Sequence, residues 1–433
     1  MVAINSTPRV AIIAGCRTPW VKSGTLLRAT HASELGRLAI QETLCRASFQ
    51  PDSLDEVILG NVVMPADAAN LARVSALWAG VPASVPALTV QRNCASGIEA
   101  VAQAATKIRA GQAKSIIAGG VESMSTIPLL FSQTATDAFT SLARARTPWQ
   151  RATAMAHFRP RDFKPVIGLE LGLTDPTCGL IMGKTAEVLA HEFSISRHEQ
   201  DEFALRSHQR AVAAHAAGRL SDETFAIYAG EKFSPVTHDN GPRENQSMAA
   251  LARLKPLFEK RDGTVTAGNS CQLTDGAAAL LVMDADTAEA EGREILGYVN
   301  SFAFTGLDPA HMGLGPVYAI SSLLDQTGLT MADIDLFEVN EAFAAQVLAC
   351  QKALASDSFA RQHLNRERAL GAIDAEKLNV NGGAIALGHP VGATGARLIL
   401  TLLMEMRRRD VHRGIAALCV GGGQGAAILL ERR

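Results

Sequence analysis

One pattern occurs twice along this chain. From residue 32 to 47, Leu35, Leu38, Ala39 and Thr43 recur at helical spacing. A strand at 55–59 begins with Asp55, and a strand at 88–90 leads into Asn93-Cys94-Ala95-Ser96-Gly97. A helix follows to about Ala110, and a strand at 115–118 ends in Gly119-Gly120. The second half has a helix-like stretch at 320–327, a strand at 335–339 ending at Asn340, and a strand at 378–380 ending in Asn381-Gly382-Gly383. A helix over 392–407 and a strand over 415–420 then end in Gly421-Gly422-Gly423. Such an order predicts two similar α/β halves packed together; the alternative is two α/β segments alike only by chance.

The 433 residues suit two to three domains at about 150 residues each. Apolar residues at 47% against 19% charged exclude a disordered chain. Lys and Arg total 41 against 43 Asp and Glu, a net charge of -2, so no nucleic-acid partner is expected. No apolar run approaches the roughly 18 residues of a membrane span. The longest, 9–15 and 277–283, suit buried strands. The first residues lack a basic segment followed by an apolar core, and Glu431-Arg432-Arg433 matches no retention or peroxisomal tripeptide. Seven cysteines, at 16, 45, 94, 178, 271, 350 and 419, include no CxxC pair. A disulfide framework and a metal site are therefore not expected, and a reducing, cytoplasmic setting is.

Residues 122–263 differ from both halves. They show little strand pattern, and Ser196-Arg197-His198-Glu199 is a capping-box signature for a helix to about Gly218. The expected division is a first half of 1–121 and 264–285, an inserted and mostly helical lid at 122–263, and a second half at 286–433. Within the lid, 141–165 is basic: Arg144, Arg146, Arg151, Arg159, Arg161 and Lys164 stand against Asp162, interleaved with Trp149, Met155 and Phe158. This is either a solvated surface hairpin or a docking surface for a partner or an anionic membrane.

The chemistry-bearing residues sit at the turns. Cys94 stands where a strand gives way to a helix, and a helix N-terminus lowers a thiol pKa. Small neighbours leave it approachable, as a nucleophile requires. His389, in Gly388-His389-Pro390, is held by the following proline in a glycine-rich turn; standing alone, it would read as an ordinary core histidine. Cys419 precedes a glycine run whose N–H groups are free for an oxyanion; a phosphate-cradling loop lacks its Lys-Ser/Thr here. Asn340 either orients a water or ligand oxygen, or caps the next helix.

Taken together, Asn93-Cys94-Ala95-Ser96-Gly97, Asn340-Glu341-Ala342-Phe343, Gly388-His389-Pro390 and Cys419-Val420-Gly421-Gly422-Gly423 resemble the thiolase family. So do Gly263-Thr264-Val265-Thr266-Ala267-Gly268-Asn269 and Asp275-Gly276-Ala277-Ala278. With the last two counted as one block, the five keep the family's order across nearly the whole chain. The resemblance implies a five-layered α/β/α/β/α fold with a loop domain inserted in the first half. It implies Cys94 as acyl-accepting nucleophile, His389 as its activating base, and Cys419 as the acid/base at the α-carbon. Asn340 would hold a water that, with His389, forms one oxyanion hole, and backbone N–H groups of Cys94 and Gly421 would form the other. Met182, Met312 and Phe343 match the acyl and pantetheine pocket, Arg243 a loop position beside the CoA nucleotide, and Ala267, Gly268 and Cys271 the pantetheine block.

The match has departures. The biosynthetic branch usually has Ser where Cys271 stands and often His where Ile181 stands. The β-subunit of the fatty-acid oxidation complex, which the basic lid resembles, usually has His where Asn340 stands. The expected activity is 3-ketoacyl-CoA or acetoacetyl-CoA thiolysis, with CoA as substrate and no permanently bound cofactor. A homodimer or homotetramer is implied, and a hydratase/dehydrogenase partner subunit at 141–165. Condensing enzymes of fatty-acid synthesis share the fold, but Cys419 before a triple glycine argues against them. A non-catalytic CoA-binding relative should have lost Cys94, His389 or Cys419, and all are present. A scaffold role in an oxidation complex is compatible with catalysis.

Overall fold

A computed structural model describes residues 8–230 and 233–433, apart from the side chain of Arg161. The start of the segment read for an export signal, and Arg161 of the basic stretch, lie outside the described residues. In the first half the strands lie in the order Ala87–Val90, Glu56–Gly60, Ser115–Ser123, Thr274–Asp284, Val10–Arg17. The first three are mutually parallel, and the last two are antiparallel to their neighbours. In the second half the order is Leu336–Val339, Arg413–Val420, Gln424–Glu431, Gly297–Gly306, with the same alternation. The two copies join edge to edge, Val10 opposite Val299 and Ile12 opposite Gly297, into one 10-stranded sheet.

The duplication is therefore a matter of topology, with one shortfall. The expected strand at 378–380 is reduced to a single bridge between Leu378 and Phe337. Asn379 supplies the reason: it adopts a left-handed φ of 46°, which ends the extended run. Its side chain replaces the next rung of the ladder, accepting from Val339 N at 2.8 Å and donating to Val339 O at 2.8 Å. Strands Gly297–Gly306 and Gln424–Glu431 were not assigned from sequence.

Helices fill three layers. Ala32–Arg46 and Leu71–Trp78 cover the outer face of the first half, burying Leu35, Ile40 and Leu71 against Val57, Leu59 and Leu281. Gly315–Thr327 and Ala344–Leu354 cover the second, with Ile320 and Val347 on Ile415 and Leu429. Ser96–Arg109 and Val391–Arg409 lie between the halves. Their Ile98, Val101, Leu398 and Leu402 contact Ile58, Ile116 and Val282 from one half and Leu418, Ile428 and Leu430 from the other. Sheet strands covered on both faces must be apolar throughout, as Arg413–Val420 and Thr274–Asp284 nearly are.

Between residues 122 and 263 the main helices are Gln133–Arg144, Pro148–Ala156, Met182–Glu192 and Arg197–Ala216. The Ser196 capping box forms as expected, with Glu199 N donating to Ser196 Oγ at 3.2 Å and Ser196 N to Glu199 Oε2 at 2.6 Å. Trp149 is 81% exposed and Met155 62%, but Phe158 packs between Phe139 and Phe163 instead of lying on the surface. No helix among the described residues is long and apolar enough to cross a membrane.

Candidate active site

The two central helices fix the site. Their N-terminal turns cross at glycines: a Cβ on Gly97 would meet Ala396 N at 2.5 Å, and one on Gly395 would overlap Ile98 N. Only hydrogens fit there. Cys94 lies just ahead of one helix and His389 just ahead of the other, so the crossing draws both to one place. Glu122 tightens the arrangement. Its buried carboxylate accepts from Val62 N, Val63 N and Asn61 Nδ2 of the first half, and from Gly392 N of the second central helix at 2.9 Å. Burial pushes this carboxyl up to about 7 against those four donors.

Cys94 is half-buried. The helix-terminus argument predicts a lowered thiol pKa, and the structure corrects it. Burial pushes the thiol up to about 11, while the Gly421 N–H and the cysteine's own N–H pull it down. The helix itself begins at Ser96 behind an Ala95 cap, and burial outweighs the N–H groups near the sulfur. Asn93, in a left-handed φ of 43°, turns the chain at this point and donates its Nδ2 to Gly421 O at 2.8 Å.

His389 is buried at 5% exposure. Its Nδ1 lies 2.6 Å from Thr394 Oγ1, whose hydroxyl donates to Pro390 O at 3.0 Å. The hydroxyl proton is thus committed, which assigns the proton between ring and threonine to Nδ1 and leaves a lone pair on Nε2. Nε2 is buried without a partner. Burial first, and Arg397 second, push the imidazole down to about 3, so it is neutral at physiological pH. The chain ahead of it is fixed by His389 N on Gln272 O at 3.0 Å and by Gly388, at φ 102°, against Thr274.

Asn340 is fully buried, and both its Oδ1 and Nδ2 lack a partner. The next helix starts at Ala344 behind Phe343, so Asn340 is not its cap. A buried amide left open on both atoms calls for a water or a ligand. Cys419, 1% exposed, is the penultimate residue of the neighbouring strand Arg413–Val420. Burial raises its thiol well above the ordinary value, and neighbouring Cys94, Cys350 and Cys271 raise it further. Cys271 belongs to the same group: burial and Cys94 hold its thiol up at about 12. Its N–H donates to Ala342 O at 3.0 Å, and Leu273 pairs with His389, so it lies between the asparagine and histidine loops.

Met182 comes over the site from residues 122–263. Its Sδ would be 3.3 Å from a Cβ on Gly421. Phe343 packs edge-on to Phe258 at 6.2 Å, and Met312 is buried in the same cluster. Gly268 is buried against Leu251 and Leu254, with no room for a side chain. Ala267 is exposed, and so is Arg243, whose N–H donates to His208 Nδ1 at 3.2 Å. Among the described residues a metal fits poorly at the one candidate group, Glu187, His191 and Glu259, because Glu187 is already taken by Thr264 and Val265 N–H groups.

Sequence reasoning assigned no role to Glu122, Thr394 or Glu341. Glu341, buried, ties Ser207 at 2.6 Å, Asn379 Nδ2 at 2.8 Å and Ile385 N at 3.2 Å, fixing the loop that carries Asn340. The available signal was an acid at the end of an apolar strand, at Glu122 and Glu341 alike.

The family model described as "Thiolase, N-terminal domain" matches residues 10–286, and "Thiolase, C-terminal domain" matches 293–432. Proteins named 3-ketoacyl-CoA thiolase from Pseudoalteromonas translucida and Yersinia enterocolitica are each 42% identical over 98% of this chain and 97% of theirs. The Bacillus anthracis acetyl-CoA acetyltransferase structure superposes with a TM-score of 0.86 at 38% identity, covering 99% of both chains. Human mitochondrial 3-ketoacyl-CoA thiolase in complex with CoA gives 0.85 at 35% identity, over 99% of this chain and 98% of that one. Matched over both halves by the family models and at 42% identity over nearly its whole length, the chain belongs to the thiolase family.

Proposed function

We propose that the protein is a 3-ketoacyl-CoA thiolase, cleaving its substrate with CoA to acetyl-CoA and an acyl-CoA shortened by two carbons. The observation that carries this is the pair of thiols, Cys94 and Cys419, gathered with a neutral histidine whose Nε2 is open and an asparagine amide open on both atoms. Cys94 gives its proton to His389 Nε2 as its sulfur adds to the 3-keto carbon. N–H groups of Cys94 and Gly421 receive the resulting oxyanion. The C2–C3 bond breaks, leaving an acyl thioester on Cys94. The departing enolate takes its proton from Cys419, with its oxygen held by His389 and a water on Asn340. CoA then gives its thiol proton to the Cys419 thiolate and attacks the thioester, and Cys94 leaves and recovers its proton from His389.

Met182, Met312 and Phe343 suit the apolar acyl and pantetheine side, with Ala267, Gly268 and Cys271 along the pantetheine and Arg243 toward the CoA phosphates. No cofactor beyond CoA enters this scheme. Residues 122–263 act as the inserted lid between a first half of 1–121 and 264–285 and a second of 286–433. Seven free cysteines, including the working pair, suit a reducing cytoplasm. A homodimer or homotetramer is supported by the open edge strand Ala87–Val90, where Leu88 is 39% exposed. The exposed Arg144, Arg146 and Arg151 around Trp149 suit a hydratase/dehydrogenase partner.

A second reading, condensation of two acetyl-CoA molecules, is favoured by the likeness to the Bacillus anthracis acetyl-CoA acetyltransferase. Thiolysis of 3-ketoacyl-CoA substrates from four to sixteen carbons separates the two. Activity rising with chain length supports the first, and activity confined to four carbons supports the second. No cleavage at any length rejects both.

A further inference from the structure

Strand Leu336–Val339 is the edge strand of the second half and leads directly into Asn340. Its residues alternate between two layers. Phe337 and Val339 belong to the outer apolar cluster, and Leu336 to the inner one, with Leu398 and Leu402 of the second central helix. Glu338 is the next inward residue. Asn340 follows it on the same alternation, with its N–H still on the ladder at Ala417 O, 2.9 Å. An acid therefore stands where the layer calls for an apolar side chain. Glu338 is 3% exposed and accepts at 2.9 Å from Nη1 of Arg397, a fully buried residue of the same helix. The Nε and Nη2 of Arg397 are buried without a partner, and the Trp20 ring centre lies 5.3 Å from its guanidinium carbon. Burial pushes the Glu338 carboxyl up to about 8, and Arg397 pulls it back.

This bond joins the two supports of one oxyanion hole. The helix of Arg397 begins directly after His389 and Pro390, and His389 is tied to it through Thr394, one turn before Arg397. The strand of Glu338 delivers Asn340 two residues later. Its other polar ties run elsewhere: Asn379 clamps Val339, and Asn340 N–H reaches the adjacent strand. Among the described residues, the Glu338–Arg397 bond is the one hydrogen bond between this strand and this helix. We propose that Glu338 and Arg397 are positioning residues that fix Asn340 relative to His389, and with them the hole that receives the enolate oxygen. The hole beside Cys94 is set separately, by the crossing of the central helices. The inference rests on the thiolase reading of the site.

The test follows two partial reactions of the full-length enzyme. Transfer of an acetyl group from acetyl-CoA to Cys94, read by mass spectrometry, uses the hole at Cys94 and Gly421. The departing CoA takes the Cys419 proton and leaves a thiolate there. Uptake of deuterium from D2O into the methyl of a second acetyl-CoA uses the other hole. Cys419 takes the α-proton, the C–H electron pair becomes the enolate double bond as charge moves to the thioester oxygen, and a deuteron returns from the sulfur. Glu338→Leu combined with Arg397→Met replaces the pair by apolar side chains, a change that buried pairs commonly tolerate. Its melting temperature should stay near the parent's and its acetylation rate within about threefold, while exchange falls about tenfold to a hundredfold, the scale of a misplaced catalytic group. Glu338→Gln keeps an acceptor for Arg397 Nη1 and should hold exchange within about threefold of the parent. Parental exchange in the double variant would overturn the proposal, as would a Glu338→Gln enzyme no better than the double variant. Acetylation and exchange falling in parallel would also overturn it, reducing the pair to packing. Should the double variant not fold, Glu338→Asp, which withdraws the carboxylate by one methylene, is read by the same ratio of exchange to acetylation. A parent enzyme with neither partial reaction would reject the functional reading, and this inference with it.

Discussion

Thr394 decides which face of His389 is basic. Its hydroxyl receives the Nδ1 proton and passes its own to Pro390 O, so the free lone pair faces the site at Nε2. Thr394→Val keeps the shape but removes the acceptor, and kcat for thiolysis should fall by about tenfold to a hundredfold, a fraction of what a general base contributes. A variant that keeps full activity at unchanged melting temperature would remove the threonine from the mechanism. The depressed imidazole also has a stability consequence. Unfolded, the ring protonates below about 6.5; folded, it resists protonation down to about 3. The unfolded chain therefore binds the extra proton as pH falls through this window, and stability is lost with it. His389→Gln should flatten the fall in urea midpoint between pH 6.5 and pH 4, and an unchanged slope would show that other groups govern it. The two thiols separate by step. Cys94→Ala should abolish both acyl-enzyme formation and cleavage, whereas Cys419→Ala should still accept an acyl group from an acyl-CoA and fail at carbon–carbon cleavage. Mass spectrometry of the acylated proteins reads the difference, and equal loss of acylation in both would reverse the assignment.

The central helices, more than any loop, bring Cys94 and His389 together. Gly395→Ala would place a methyl on the backbone of Ile98, where no side chain can yield. Overpacking of this kind costs on the order of 1–3 kcal/mol or more. The melting temperature should drop by several degrees, with kcat falling more than KM rises, because the crossing that shifts is the one carrying Cys94 and His389. A stable variant with parental kcat would refute the crossing as the determinant. Much of this was legible in the chain. The strand–turn–helix run around Cys94 and the helix after His389 follow from apolar patterning and glycine punctuation, and the fold keeps both. The strand expected at 378–380 does not form, because Asn379 makes with its side-chain amide the bonds that a strand makes with its backbone. Gly297–Gly306 escaped notice because it mixes polar and apolar residues, and it is half-buried along much of its length. Electrostatics escaped too: patterning places Cys94 at the start of a helix, but not the burial that raises its thiol.

At the scale of the molecule, the duplication gives each half an asparagine at the same point, directly after the strand that pairs parallel with the long central one. In the first half Asn61 donates its amide to Val121 O and Glu122, and Glu122 anchors the second central helix. In the second half Asn340 keeps its amide open. One copy has become framework and the other faces chemistry, so Asn61→Ala should cost stability with little change in kcat per folded molecule, and Asn340→Ala the reverse. The inserted segment breaks the symmetry altogether. It adds exposed arginines and Trp149 well outside the framework, in a pair of helices that the duplicated core does not require. If these arginines dock a hydratase/dehydrogenase chain, attraction between exposed charges should be strong at low salt and fade as the screening length shortens to about 8 Å near physiological ionic strength. Replacing Arg144, Arg146 and Arg151 together by Glu should then abolish co-elution with such a partner in low-salt buffer while thiolysis by the isolated enzyme stays within about twofold, since surface charges remote from the thiols alter encounter more than chemistry. Co-elution that survives both the charge reversal and added salt would assign docking to the apolar surface around Trp149, and a parent protein that elutes alone at low salt would leave the helix pair as a solvated surface.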